Sequence, residues 1–155
     1  MIFIILAIFI VALDQASKFL VVKYLMNQPP IVIIKDHFEL RYVENYGAAF
    51  GILQEKRIFF IIITAIVILL IVFYFYNKFD ILSNFTKFAM SMFLAGAIGN
   101  FIDRLRLGYV VDFIRVNLIK SYDFPVFNVA DMFIVVGTIL IVFIVLFDKY
   151  EVKRY

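Results

Sequence analysis

Cysteine is absent from this chain, so it has no disulfide framework, no thiol nucleophile and no thiolate metal site. The redox state of its compartment leaves no mark on it. A single histidine, His37, is too little imidazole for a His-rich metal site and argues against a Ser-His-Asp arrangement. Tryptophan is missing too. Twenty Phe and nine Tyr supply a heavy aromatic load instead, of the kind that lipid-facing surfaces and interfacial belts absorb. Charge is sparse: 15 Lys and Arg against 12 Asp and Glu give a formal +3, and no basic run resembles a nucleic-acid footprint.

What is present is apolar. Of 155 residues 65% are hydrophobic, and the mean hydropathy is +1.02. A soluble domain sits nearer about 45–50%, so the composition argues for a membrane protein. The length fits one compact integral membrane domain over 1–155.

Four segments read as membrane-spanning helices, at about 2–26, 58–76, 86–105 and 126–147. The first is apolar to Leu13 and then interrupted by Asp14, Gln15, Ser17, Lys18 and Lys23. Without a basic leading region or a clear small-x-small cleavage site, it reads as a retained helix rather than a signal peptide. The second is the cleanest, with Thr64 as its only polar side chain. At ~1.5 Å per residue it reaches about 28 Å, enough for a hydrocarbon core of ~30 Å. In the third, Ser91, Ala95 and Gly99 recur every four residues, a small-residue stripe that lets a neighbouring helix come close.

Four spans put both termini on one side, with 27–57 and 106–125 on the other. The region 29–57 reads as β structure: Phe38, Leu40 and Tyr42 alternate with Glu39 and Arg41. Pro29-Pro30 is expected to end the first helix, since neither ring nitrogen can donate. Asn45-Tyr46-Gly47 reads as a turn, and His37 as a surface residue beside the small sheet. Lys and Arg are more numerous in the 27–57 and 106–125 pair but denser in 77–87 and in the tail with Lys149, Lys153 and Arg154. Charge alone therefore leaves the orientation open.

Asp112 and Asp131 lie at the ends of the third and fourth apolar stretches, on the same side. An ionisable group at the edge of a span is costly, so a function is the default expectation. Two carboxylates at one depth can share a proton, one acting as base toward water while its protonated partner donates to a substrate carbonyl. A structural hydrogen-bonding role is the competing reading. Around the pair lie Gly96, Gly99, Asn100, Asp103 and Arg104, with Gly96, Asn100 and Arg104 on one helical face, and Asn128 one turn before Asp131. Arg104 is expected to hold Asp103 or the pair electrostatically. Asp14 and Lys18, one turn apart, read as an ion pair within the first helix.

These residues fall into five motifs in order: Asp14-Gln15-x-x-Lys18, Glu44-Asn45-x-Gly47-Ala48-Ala49-Phe50-Gly51, Gly96-x-x-Gly99-Asn100-x-x-Asp103-Arg104, Val110-Val111-Asp112-Phe113 and Phe127-Asn128-x-Ala130-Asp131. Together they resemble the bacterial lipoprotein signal peptidase (type II signal peptidase) family over essentially the whole length. The resemblance implies a four-helix, membrane all-α aspartic endopeptidase under a small extracytoplasmic β-cradle. It implies a multi-pass protein of the bacterial cytoplasmic membrane, with both termini inside and the active site toward the outer face. Its partners would be membrane lipids and diacylglyceryl-modified prolipoproteins, cut before the lipidated cysteine. The expected enzyme is a monomer with no cofactor, no metal and no nucleic acid.

On this resemblance Asp112 and Asp131 match the catalytic pair. Asn45, Gly47, Gly96, Asn100, Arg104 and Asn128 match residues lining the site, and Asp14, Lys18 and Asp103 its structural support. The loop at 45–51 would serve as a lid. Two rivals stay open on the residues alone: a proton or ion transporter using the aspartates as a relay, and a non-catalytic membrane scaffold.

Overall fold

The computed structural model describes residues 1–47, 56–117 and 124–147. Four helices and three strands follow in the order α1 (Ile2–Leu25), β1 (Ile31–Ile34), β2 (Phe38–Asn45), α2 (Arg57–Lys78), α3 (Asn84–Arg106), β3 (Val110–Val116) and α4 (Val129–Leu146). All four helices are long and apolar enough to cross a membrane.

Their burial pattern is inverted relative to a soluble bundle. Outward-facing side chains are Ile, Leu and Phe: Ile4, Ile8, Leu69 and Phe73 are each more than 60% exposed, and no residue of α2 is buried. The buried positions instead include Asp14, Lys18, Ser91, Asn100 and Asp103. Such a surface is stable only in an apolar solvent, while the interior supplies the partners that polar groups need there.

α3 is the central helix and packs on α1, α2 and α4. Small residues make this possible. A Cβ on Gly96 would collide with the Ala130 carbonyl oxygen, and one on Gly137 would fall 2.7 Å from the Phe93 nitrogen. Gly99 has the same relation to α1, where a Cβ would lie 2.6 Å from Asp14 Oδ2. Ala95 is fully buried with Ile10 and Met92, so the stripe of small residues faces its neighbours.

The sheet is antiparallel in the order β1-β2-β3. It lies at the end of the bundle where α1 and α3 finish and α2 and α4 begin. Val111 and Phe113 seat it on α1 through Val21 and Leu25. β3 was not expected as a strand: the run Val110–Val116 lacks polar alternation because its first four residues are buried on both faces. Phe127 pairs with Ile114 in an isolated bridge, so the chain entering α4 runs beside β3 and sets Asn128 near Asp112.

Two boundaries differ from the sequence reading. α1 stops at Leu25, and Asn27 takes a left-handed conformation (φ 60°), so the helix has ended before Pro29-Pro30. α4 begins at Val129 rather than near 126, because Phe127 is committed to the sheet and Asn128 is the helix cap. Residues 48–51 of the expected lid lie outside the described residues, as does the basic tail.

Candidate active site

Asp112 sits in the middle of β3, and Asp131 in the first turn of α4. Asn128 joins them. Its side-chain amide donates to Asp112 Oδ1 at 2.7 Å, and its backbone N–H donates to Asp131 Oδ2 at 3.1 Å. In return Asn128 Oδ1 accepts the Asp131 N–H at 2.9 Å, completing a reciprocal capping box that starts the helix. The cap that nucleates α4 and the frame that holds the carboxylates are thus one structure.

The other two oxygens also have donors. Asn45 Nδ2 lies 2.8 Å from Asp112 Oδ2, and Asn100 Nδ2 lies 2.7 Å from Asp131 Oδ1. Three asparagine side chains and one backbone amide therefore supply a donor to all four carboxylate oxygens, leaving one lone pair on each for water or a proton. Gly47 contributes through its N–H, which donates to Asn45 Oδ1 at 3.0 Å as the expected turn and fixes which way that amide points.

Behind this layer is a buried ion cluster. Lys18, 3% exposed, places Nζ 2.9 Å from each of Asp14 Oδ2, Asp103 Oδ2 and Asn100 Oδ1, using all three of its protons. Asn100 Oδ1 also accepts from Asn128 Nδ2 at 3.1 Å, so its amide orientation is set from two sides. Asp14 Oδ1 accepts the Ala130 N–H at 2.9 Å, a free donor of the first turn of α4. Asp103 Oδ2 accepts the Val111 N–H at 3.1 Å, next to Asp112. Each carboxylate in the cluster thus holds a piece of backbone adjoining a candidate catalytic aspartate, and Lys18 holds the two carboxylates together.

Arg104 acts on the aspartate pair through its charge, as expected, but makes its contacts elsewhere. Its Nη2 donates to the Gly47 carbonyl at 3.3 Å, and its guanidinium lies 5.0 Å from the centre of the Phe60 ring. Asp103 is already taken by Lys18 and by Gln15, whose amide donates to Asp103 Oδ1 at 3.0 Å and also reaches Asp14 and the Gly99 carbonyl. The Arg104 charge still acts on Asp131, Asp112 and Asp103, without forming an ion pair among the described residues. Gly96 lies against the α4 backbone rather than among the hydrogen-bonding groups. His37 is exposed and bonded to the Asn117 carbonyl, away from the aspartates.

Gln15 was given no role from sequence. The signal was available, since a neutral amide inside an apolar span needs buried partners. Arg57 was missed as well: it donates to the carbonyls of Arg104 and Leu105 at 3.0 Å each and so satisfies the end of α3.

The electrostatics favour a held proton. Burial, and secondly the neighbouring Asp131 charge, push the Asp112 carboxyl up from 3.8 to about 7, against the opposing donors Asn45 and Asn128 and the Lys18 charge. Among the described residues no group of three His, Cys, Asp or Glu is placed to hold a metal ion.

The chain is similar to known proteins over most of its length. The family model described as "Signal peptidase (SPase) II" matches residues 6–147. A lipoprotein signal peptidase of Caldanaerobacter subterraneus is 47% identical over 145 residues, covering 93% of this chain and 95% of the relative. One from Clostridium tetani is 44% identical over 146 residues, covering 93% and 92%. A solved structure, a bacterial membrane enzyme determined by the in meso method at 2.3 Å, superposes with a TM-score of 0.83 at 38% identity over 97% of this chain and 94% of its own. With a match of that extent, and with every motif read from the sequence inside it, the chain belongs to the signal peptidase II family.

Proposed function

We propose that this protein is an intramembrane aspartic endopeptidase that removes signal peptides from diacylglyceryl-modified prolipoproteins, cutting before the lipidated cysteine. Membership of the signal peptidase II family supports the peptidase activity, and the relatives' description as lipoprotein signal peptidases supports the substrate. The observation that carries the aspartic chemistry is the pair itself: Asp112 and Asp131, held through one asparagine, with Asp112 raised to about 7.

In this reading one proton is shared between the two carboxyls. The ionised aspartate removes a proton from water as its oxygen attacks the scissile carbonyl carbon, and the protonated one donates to the carbonyl oxygen. Collapse of the tetrahedral intermediate breaks the C–N bond: the proton taken from water passes to the leaving amine, and one hydroxyl of the intermediate returns its proton to the aspartate that had donated it as the carbonyl re-forms. Asn45, Asn100 and Asn128 position the carboxylates, and Lys18 with Asp14 and Asp103 positions Asn100 and the backbone of α4. The lipid anchor confines the substrate to the bilayer, which explains why the site lies at one end of a bundle with an apolar exterior. Both termini are cytoplasmic and the sheet faces the outer side. The clustering of the acidic groups at that end suits a hydrolase better than a relay across the membrane.

The test is a cleavage assay with purified full-length protein on a diacylated precursor and the same precursor without lipid. The proposal expects cutting of the diacylated form before the modified cysteine and at most slow cutting of the other. Equal cutting of both would refute the substrate assignment.

A further inference from the structure

Glu44 takes no part in the chemistry above, yet both of its carboxylate oxygens are committed. Oε1 accepts the Tyr42 hydroxyl at 2.9 Å, and Oε2 accepts the Tyr46 hydroxyl at 2.6 Å. The Tyr42 and Tyr109 hydroxyl oxygens are 2.9 Å apart, and the Tyr46 and Tyr109 rings touch with centroids at 5.3 Å. The four side chains close a loop of contacts: Glu44 to Tyr42, Tyr42 to Tyr109, Tyr109 to Tyr46, and Tyr46 back to Glu44.

This loop encloses the residue that matters. Glu44 and Tyr46 flank Asn45 in the chain, and successive strand residues point to opposite faces. The register agrees: Glu44 lies opposite Val111 and Asn45 opposite Val110, so Asn45 shares a face with Asp112, its diagonal neighbour on β3. Tyr109 immediately precedes β3, so the cluster also ties the end of β2 to the start of the strand that carries Asp112. Hydrogen bonds from Tyr46 and Tyr42 hold the Glu44 carboxyl below the usual carboxylate range, and burial pushes the Tyr42 phenol up. Near neutral pH both groups therefore stay in the forms these bonds require.

We propose that Glu44, with Tyr42, Tyr46 and Tyr109, is a positioning residue that clamps the chain on both sides of Asn45 and so holds the Asn45 amide on Asp112. The proposal rests on the aspartic reading for its consequence in catalysis, although its geometry stands apart from it. The charged groups that act on Asp112 are Asp131 from α4, Lys18 from α1 and Arg104 from α3. Glu44 points to the opposite face of the sheet.

The sign of its effect separates positioning from charge. Removing the negative charge of Glu44 would by itself ease ionisation of Asp112 and lower its titration. Releasing Asn45 would withdraw a donor from the carboxylate and raise it.

The experiment follows the carboxyl infrared band of Asp112 across pH in the purified full-length protein in detergent, the band being assigned by its loss in Asp112→Asn. Asn45→Ala should raise the midpoint by about one pH unit. Glu44→Ala should raise it by at least half that shift, with no further rise in the double variant. Glu44→Gln, which can still accept from Tyr42 through its oxygen and donate to the Tyr46 hydroxyl oxygen through its amide, should give no such rise. In cleavage assays the alkaline limb, where the shared proton is lost, should move up by the same amount. A midpoint in Glu44→Ala that falls or stays in place would overturn the proposal. Should that variant fail to fold, Tyr46→Phe opens the same clamp and must raise the midpoint; no rise there overturns it equally. The infrared titration needs no substrate, so a wild-type protein that cleaves nothing would count against the peptidase reading and leave the clamp decided by the midpoints.

Discussion

Asn128 uses its side-chain amide for one carboxylate and its backbone N–H for the other, and few residues could do both. Asp112 and Asp131 were legible because a carboxylate at the edge of an apolar run is rare and costly. The ion pair of Asp14 and Lys18 was legible from helical spacing. The contact of Lys18 with Asp103 was not, because it joins helices 85 positions apart in sequence, and that contact removes the partner expected for Arg104. Lys18 pairs with two buried carboxylates at once, and removing it leaves both without that cation. Lys18→Met should therefore cost about 3–5 kcal/mol. Thermal unfolding in detergent checks this; an unchanged Tm would show that the cluster contributes little.

At the scale of elements, helices were the easier part, since nineteen consecutive apolar residues with one threonine allow few other structures. Strand β3 was hidden by its own burial, and the start of α4 by the bridge between Phe127 and Ile114, a pairing that no local pattern announces. The stripe of small residues on α3 was readable, but not which glycine met which helix. Gly96 meets α4 so closely that an added methyl group would collide with backbone rather than with a movable side chain. Gly96→Ala should lower stability by about 1–3 kcal/mol. Because Ala130 adjoins Asp131, separation of the helices should also weaken the bond from Asn100 and reduce cleavage. Parallel Tm and turnover measurements check both, and a variant with wild-type values would mean that the interface yields without consequence.

The whole molecule is organised around a polar centre and an apolar exterior, and among the described residues the buried carboxylates Asp14, Asp103 and Asp112 converge with Lys18 toward one end of the bundle, while buried Lys87 lies over Phe79 at the other. That distribution is what a hydrolase needs if its substrate is anchored in lipid. The decisive measurement is cleavage of a diacylated precursor by Asp112→Asn and by Asp131→Asn, each purified and shown by helical content and Tm to be folded. Either substitution alone should reduce turnover by about 10²–10⁴-fold or more. Turnover within about tenfold of wild type by either folded variant would contradict the two-carboxylate mechanism.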